Sequence, residues 1–330
     1  MKIPLHARVV ARLQSRSTQS SIIGKTAEQI PELRERTTTS NSGITGFITG
    51  KVSELVVIEN KHIALPGRTL RLRTYVPNTL QTAPRPVIVD YHGGGFVIGR
   101  PELKEWYNSE LSWRLNALVI SVDYRLAPEH QFPAAYNDAV ESYSWLTENV
   151  GAWNGDPCRM VVTGDSAGAN LAAGVAIAAA HIDAATAPRA QVLLYPPTDL
   201  VTDYPSATEN ATAPFLSVQE SDAYLRHYCT IDELADARIS PLASDDLHGV
   251  APAVIITAEH DPLRDQGAAY GDALRAVGVY ARVTNYPGTA HGFISTPGLY
   301  PGSSLAALGE IVTEIRQLLA CEGHAGRVVS

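Results

Sequence analysis

A chain of 330 residues, 45% of them hydrophobic, can bury a large core in one big domain or two. Its net charge of −8 argues against a nucleic-acid partner, which needs basic patches. Its three cysteines (Cys158, Cys229, Cys321), far apart and without C-x-x-C spacing, argue against a disulfide framework or a zinc site. The longest apolar run, Leu171 to Ala180, is about half of what a membrane-spanning helix needs, so no span is expected and a reducing cytoplasm fits.

In chain order, the first 27 residues carry Lys2, Arg8, Arg12, Arg16 and Lys25 without an acid, and serines are frequent. An organelle transit segment has that composition. An amphipathic helix packed on the protein is the alternative, since Leu5, Val9 and Leu13 recur at four-residue spacing. From residue 52 the chain turns to strands. VSELVVIE (52–59) and TLRLRTYV (69–76), with Pro66-Gly67 between them, predict an antiparallel pair at a sheet edge. PVIVDY (86–91), ALVISVDY (117–124), RMVVTG (159–164), AQVLLYP (190–196), PAVIITA (252–258) and YARVTNYP (280–287) are short β-rich runs, with helical patterns between several of them. Such alternation needs a mostly parallel sheet with helices on both faces, an α/β fold. Residues 1–50 and 198–238 are too long for ordinary connections and are expected to form a second layer over the sheet.

Three stretches carry chemistry. VVTGDSAGAN (161–170) places Ser166 in a G-x-S-x-G turn after a strand and before a helix. Any Cβ at positions 164 and 168 would strike the neighbouring strand or helix, so the turn pushes the hydroxyl above the sheet. YHGGGF (91–96) follows a strand, and its successive glycines free backbone N–H groups to hold an oxyanion. A phosphate cradle fails there, because no G-K-[S/T] follows and Ile98 stands where a third glycine would be required. His92, at the base of that loop, is assigned a structural role. A serine nucleophile needs a base oriented by a carboxylate, and in this kind of sheet the chain order is serine, acid, histidine. Asp261 in ITAEHDPLRD (256–265) and His291 in YPGTAHGF (286–293) follow the next strands in that order, with Glu259 and Asp265 as alternative acids. His260, beside Asp261, is expected to point elsewhere.

HGGGF at 92, DYRLAPEHQFPAA at 123–135, GDSAG at 164, DPLRD at 261 and HGF at 291 together resemble the hormone-sensitive-lipase-like carboxylesterases of the α/β-hydrolase superfamily, in the GDSAG subgroup. The resemblance covers about residues 50 to 320. It implies an α/β-hydrolase fold, with a catalytic domain of residues 51–197 and 239–330 and a mainly helical cap of 1–50 and 198–238. It implies a triad of Ser166, Asp261 and His291, an oxyanion hole from the N–H groups of Gly94, Gly95 and Ala167, and no metal or organic cofactor. The 123–135 loop would brace the glycine loop, with Arg125 and Glu129 as a structural pair and cis bonds among its prolines.

The expected activity is hydrolysis of short- to medium-chain acyl esters, small molecules, through an acyl-enzyme. An amidase or arylformamidase shares triad and fold and is the alternative, while a binding protein of the gibberellin-receptor type lacks the triad histidine that His291 supplies here. Leu5, Val9, Phe215, Leu216 and Leu225 are candidates to line the acyl pocket, and deletion of residues 1–35 is expected to flatten the chain-length profile. The last strand, at a sheet edge, suggests a homodimer.

Overall fold

The computed structural model describes residues 2–16, 21–37, 43–182 and 186–320. Cys321 and the side chain of Leu13 lie outside the described residues. Three helices come first: α1 (Leu5–Arg16), α2 (Ile30–Thr37) and α3 (Gly43–Thr49). The strands are β1 (Val56–Leu65), β2 (Arg68–Pro77), β3 (Arg85–Tyr91), β4 (Leu118–Asp123), β5 (Gly155–Asp165), β6 (Ala190–Leu194), β7 (Ala253–His260) and β8 (Ala281–Ala290). Helices α4 (Glu105–Leu115), α5 (Ala134–Asn149) and α6 (Ala167–Ile182) connect the middle strands. After β6 come α7 (Pro205–Glu209) and α8 (Val218–Tyr228), and the chain closes with α9 (Arg264–Ala276) and α10 (Pro301–Ala320).

These strands form one eight-stranded sheet in the order β1-β2-β4-β3-β5-β6-β7-β8. Only the β1–β2 and β2–β4 pairs are antiparallel; every pairing from β4 to β8 is parallel. The central runs are apolar at nearly every position because helices bury both of their faces. Alternate residues then divide between two cores. Val87, Val89, Val162, Leu193 and Ile255 pack with α5, α6 and α9, whereas Ile88, Val161, Val192, Leu194, Val254 and Ile256 pack with α4 and α10.

All eight strand runs appear in the sheet, but β1 is displaced from its predicted range. It begins at Val56 and continues through Asn60 and Lys61 to Leu65, where Pro66-Gly67 closes a tight hairpin. The polar stretch stays in strand because it lies on an edge and pairs across it, with Asn60 Oδ1 accepting from both Arg71 and Arg73.

The N-terminal helix packs on the protein through a face other than the predicted one. Ala7 and Ala11 are buried, while Leu5 is 73% and Val9 48% exposed. Small side chains let α1 approach closely, and Leu5 and Val9 are left facing outward. Downstream, Ile22, Ile30 and Leu33 join the core on the α6 side of the sheet. The predicted helix at 217–228 is present, and Ser217 caps it by accepting from the Glu220 N–H while Glu220 accepts from the Ser217 N–H.

Candidate active site

Strand β5 ends at Asp165, and the next residue adopts a left-handed conformation, Ser166 with φ +53°. Side chains rarely hold that geometry without support, and the surroundings supply it. The Ser166 N–H donates to Leu194 O on β6 at 2.9 Å, and α6 begins at once behind it, with the Asn170 N–H donating to Ser166 O at 3.1 Å. The turn is compressed as well. A Cβ on Gly168 would meet the carbonyls of Tyr91 and His92, and one on Gly164 would meet the backbone of Gly168 itself. Both glycine expectations therefore hold for a specific reason: helix and strands touch through bare backbone. The hydroxyl is thereby carried above the carboxyl ends of the strands, where sites of open α/β sheets form.

Three side chains that follow three different strands converge there. The Ser166 hydroxyl lies 2.9 Å from His291 Nε2, and His291 Nδ1 lies 2.7 Å from Asp261 Oδ2. Asp261, just past β7, is fully buried, and its Oδ1 accepts the Leu263 N–H at 2.9 Å, which fixes the carboxylate. Just past β8, His291 leans its ring on the buried Tyr195 at 4.7 Å between centroids. The alternative acids are engaged elsewhere. Glu259 accepts the Gly288 N–H, and Asp265 pairs with Arg264 and accepts the Ser206 N–H. His260 faces Glu259, at 3.9 Å, rather than the serine.

The glycine loop after β3 lies alongside. Gly94 (φ +124°) occupies backbone space that side chains avoid, and its Cβ position is filled by the Ile98 carbonyl. Gly94, Gly95 and Ala167 border the same cavity as Ser166 and His291. Gly93 has another task, donating its N–H to Asp165 Oδ1 at 2.8 Å.

His92 is buried and stacks on Tyr124 at 4.3 Å, and burial lowers its pKa. The 123–135 loop braces the glycine loop: the Tyr124 hydroxyl donates to His92 O and the Ala127 N–H to Phe96 O. Its Ala127–Pro128 and Phe132–Pro133 bonds are cis.

The predicted Arg125–Glu129 pair does not form. Arg125 binds Asp138 at 2.8 Å, and Glu129 binds Arg34 at 2.6 Å. Asp138 at the start of α5 is fully buried and shared with Arg68, so it draws Arg125 inward. Arg34 also donates to the carbonyls of Val97 and Ala127, which ties α2 to both loops. Sequence reasoning missed Arg34 and Asp138. Neither lies in a motif, and their partners are distant in the chain.

The cavity above the serine holds about 190 Å³. Phe215, Leu216, Tyr224 and Leu225 wall it from the segment between β6 and β7, joined by Leu200 and Leu263. Phe215, Leu216 and Leu225 are thus where the sequence reading placed them. Leu5 and Val9 are not; both are exposed, and among the described residues the lining includes none from 1–50.

Comparison with known proteins places the chain in a family. A family model described as the alpha/beta hydrolase fold matches residues 88–295, from the strand before the glycine loop to the loop after His291. Carboxylesterase NlhH of Mycobacterium tuberculosis is 39% identical over 76% of this chain and 82% of its own length. The chain belongs to the alpha/beta hydrolases, in their hormone-sensitive-lipase-like branch. This hydrolase is also 35% identical to the ethyl acetate hydrolase of Pseudomonas putida, over 75% of the chain and 79% of that protein. Among solved structures, a hyperthermophilic esterase from the archaeon Pyrobaculum calidifontis aligns with TM-score 0.85 at 31% identity, covering 96% of the hydrolase and 99% of the esterase. Among the described residues, the hydrolase has no cluster of His, Cys, Asp and Glu grouped to hold a metal, and no helix long and apolar enough to cross a membrane.

Proposed function

We propose that this carboxylic ester hydrolase works through Ser166 as nucleophile, His291 as general base and acid, and Asp261 as the group that orients the imidazole. The observation that carries this reading is the unbroken chain of contacts from Ser166 Oγ to His291 Nε2 at 2.9 Å and from His291 Nδ1 to Asp261 Oδ2 at 2.7 Å. The Ser166 hydroxyl donates to Nε2, and its oxygen attacks the ester carbonyl as the proton moves to the imidazole. The N–H groups of Gly94, Gly95 and Ala167 receive the oxyanion. His291 then gives its proton to the leaving alkoxide, and water, activated by the same imidazole, releases the acid from the acyl-enzyme. Asp261 fixes the tautomer and balances the imidazolium charge.

Residues 51–197 and 239–330 form the catalytic domain in this reading, with 1–50 and 198–238 as its cap. Support for the second cap segment is direct, since α8 walls the cavity; the first braces the glycine loop through Arg34. Small esters with short to medium acyl chains are the proposed substrates. Each buried methylene adds about 0.8 kcal/mol until an apolar pocket is full, so the optimum should fall between about four and eight acyl carbons. A homodimer through the exposed edge of β8 is proposed as well, expected by light scattering at twice the 35.4 kDa of one chain. The cytoplasm is the proposed compartment, because Cys158 and Cys229 are both free thiols.

Replacing the nucleophile tests the reading. Ser166→Ala should lower the turnover of p-nitrophenyl butyrate by about 10⁶-fold while circular dichroism stays that of the parent. A folded variant that keeps turnover within tenfold would remove Ser166 from the mechanism.

A further inference from the structure

Beneath the serine turn lies a buried charge cluster that the mechanism above does not use. Lys104 stands where a short 3₁₀ turn (Pro101–Lys104) leads from the glycine loop into α4, and its side chain is only 2% exposed. Its ammonium donates to Asp90 Oδ1 at the end of β3, lies 3.2 Å from Asp165 Oδ1, and sits 4.9 Å from the centre of the Tyr107 ring. A lone cation in such a place would be costly, so its retention needs a reason. Burial works to lower the pKa of Lys104, but Asp165 and then Asp90 outweigh it and hold it above lysine's usual range.

The two carboxylates differ in what else they do. Asp90 is also satisfied by Asn108 Nδ2 at 2.9 Å and Ser121 Oγ at 2.7 Å, so it belongs to the framework of β3, β4 and α4. Asp165 precedes the nucleophile. Its Oδ1 accepts the Gly93 N–H at 2.8 Å, and its Oδ2 faces the Ser295 hydroxyl at 3.4 Å in the loop that follows His291. This one carboxylate therefore joins the serine turn, the glycine loop and the histidine loop. Ionised, it has a cost: a negative charge one residue from Ser166 opposes the oxyanion that forms above it.

We propose that Lys104 is a positioning residue for ester hydrolysis, acting through Asp165: its ammonium holds the carboxylate that ties the glycine loop to the serine turn and cancels that charge beneath the developing oxyanion. The proposal rests on the Ser166 mechanism above. Because both effects matter most when the oxyanion forms, they act on kcat rather than on substrate binding.

Steady-state kinetics on p-nitrophenyl acetate test it. Lys104→Met should lower kcat about 10- to 100-fold with KM within about threefold, the scale of a small displacement or an uncompensated charge at a reacting centre. Asp90→Asn, which leaves the Lys104–Asp165 contact in place, is the control for the loss of buried packing and pairing. Its melting temperature should fall while kcat stays within about threefold of the parent. Adding Lys104→Met to Asp165→Asn should change kcat less than about threefold, since the group through which lysine acts is already neutral. That comparison also decides the matter if Lys104→Met alone does not fold. The proposal is overturned by a folded Lys104→Met with parental kcat, by an equal kcat loss in Asp90→Asn, or by a tenfold loss on adding Lys104→Met to Asp165→Asn. A Ser166→Ala arm separates the two claims: turnover retained there defeats the serine mechanism itself, whereas turnover lost there with Lys104→Met unaffected defeats only the role of the lysine.

Discussion

At the carboxyl ends of β5, β7 and β8 the backbone leaves Ser166, Asp261 and His291 almost no freedom, whereas along α1 and α8 the side chains are placed by packing against whatever lies beneath. In the first region, contacts such as that of Gly168 with the Tyr91 and His92 carbonyls run from main chain to main chain. Of the second region only α8 and the turn leading into it meet the site, through the side chains of Phe215, Leu216, Tyr224 and Leu225. The contrast separates two kinds of constraint. In the proposed mechanism, reaction chemistry is held by positions that tolerate no extra atom, and substrate choice by positions where size can vary at modest cost.

The largest expected effect comes from breaking the rigid side. Gly168→Val would push branched carbons into two carbonyls that cannot move without shifting β3, so kcat/KM should fall about 100-fold or more, read with p-nitrophenyl butyrate on protein shown folded by circular dichroism. A smaller and more selective effect is expected from the adaptable side. Leu225→Trp should leave acetate hydrolysis within about threefold while lowering kcat/KM for hexanoate about tenfold or more, moving the optimum to shorter chains. An unchanged profile would take Leu225 out of the acyl-binding wall. The smallest effect belongs to α1. Leu5→Ser and Val9→Ser alter exposed positions, so stability should move by less than about 0.5 kcal/mol in denaturant melts, and the chain-length profile should not change. A shifted profile would return the N-terminal helix to the substrate wall.

The same division explains what could be read before any coordinates were known. The buried strands were legible because a parallel sheet covered on both faces demands nearly continuous apolar runs such as PVIVDY and AVIITA. Ser166, Asp261 and His291 were legible because each sits in a short motif just beyond such a run. The rest was hidden for physical reasons. The register of β1 depends on Asn60 meeting Arg71 and Arg73, polar pairs that carry no periodic signal. Arg125 chose Asp138 over Glu129 because a buried carboxylate outcompetes an exposed one, and burial is not written in the local sequence. The helix α1 buries Ala7 and Ala11, residues too small to mark a face by hydrophobicity.

Ser166, Asp261 and His291 follow β5, β7 and β8, and the serine and histidine in contact are 125 residues apart in sequence. Contacts of such separation close large loops and form late. No nascent chain that stops before residue 291 contains the complete proposed triad, and no folding intermediate that lacks β8 on the edge of the sheet can align it. Recovery of ester hydrolysis after dilution from denaturant is therefore a clock for the last strand to dock, and should lag behind the recovery of helical signal from α5 and α6, which pack against strands in the middle of the sheet.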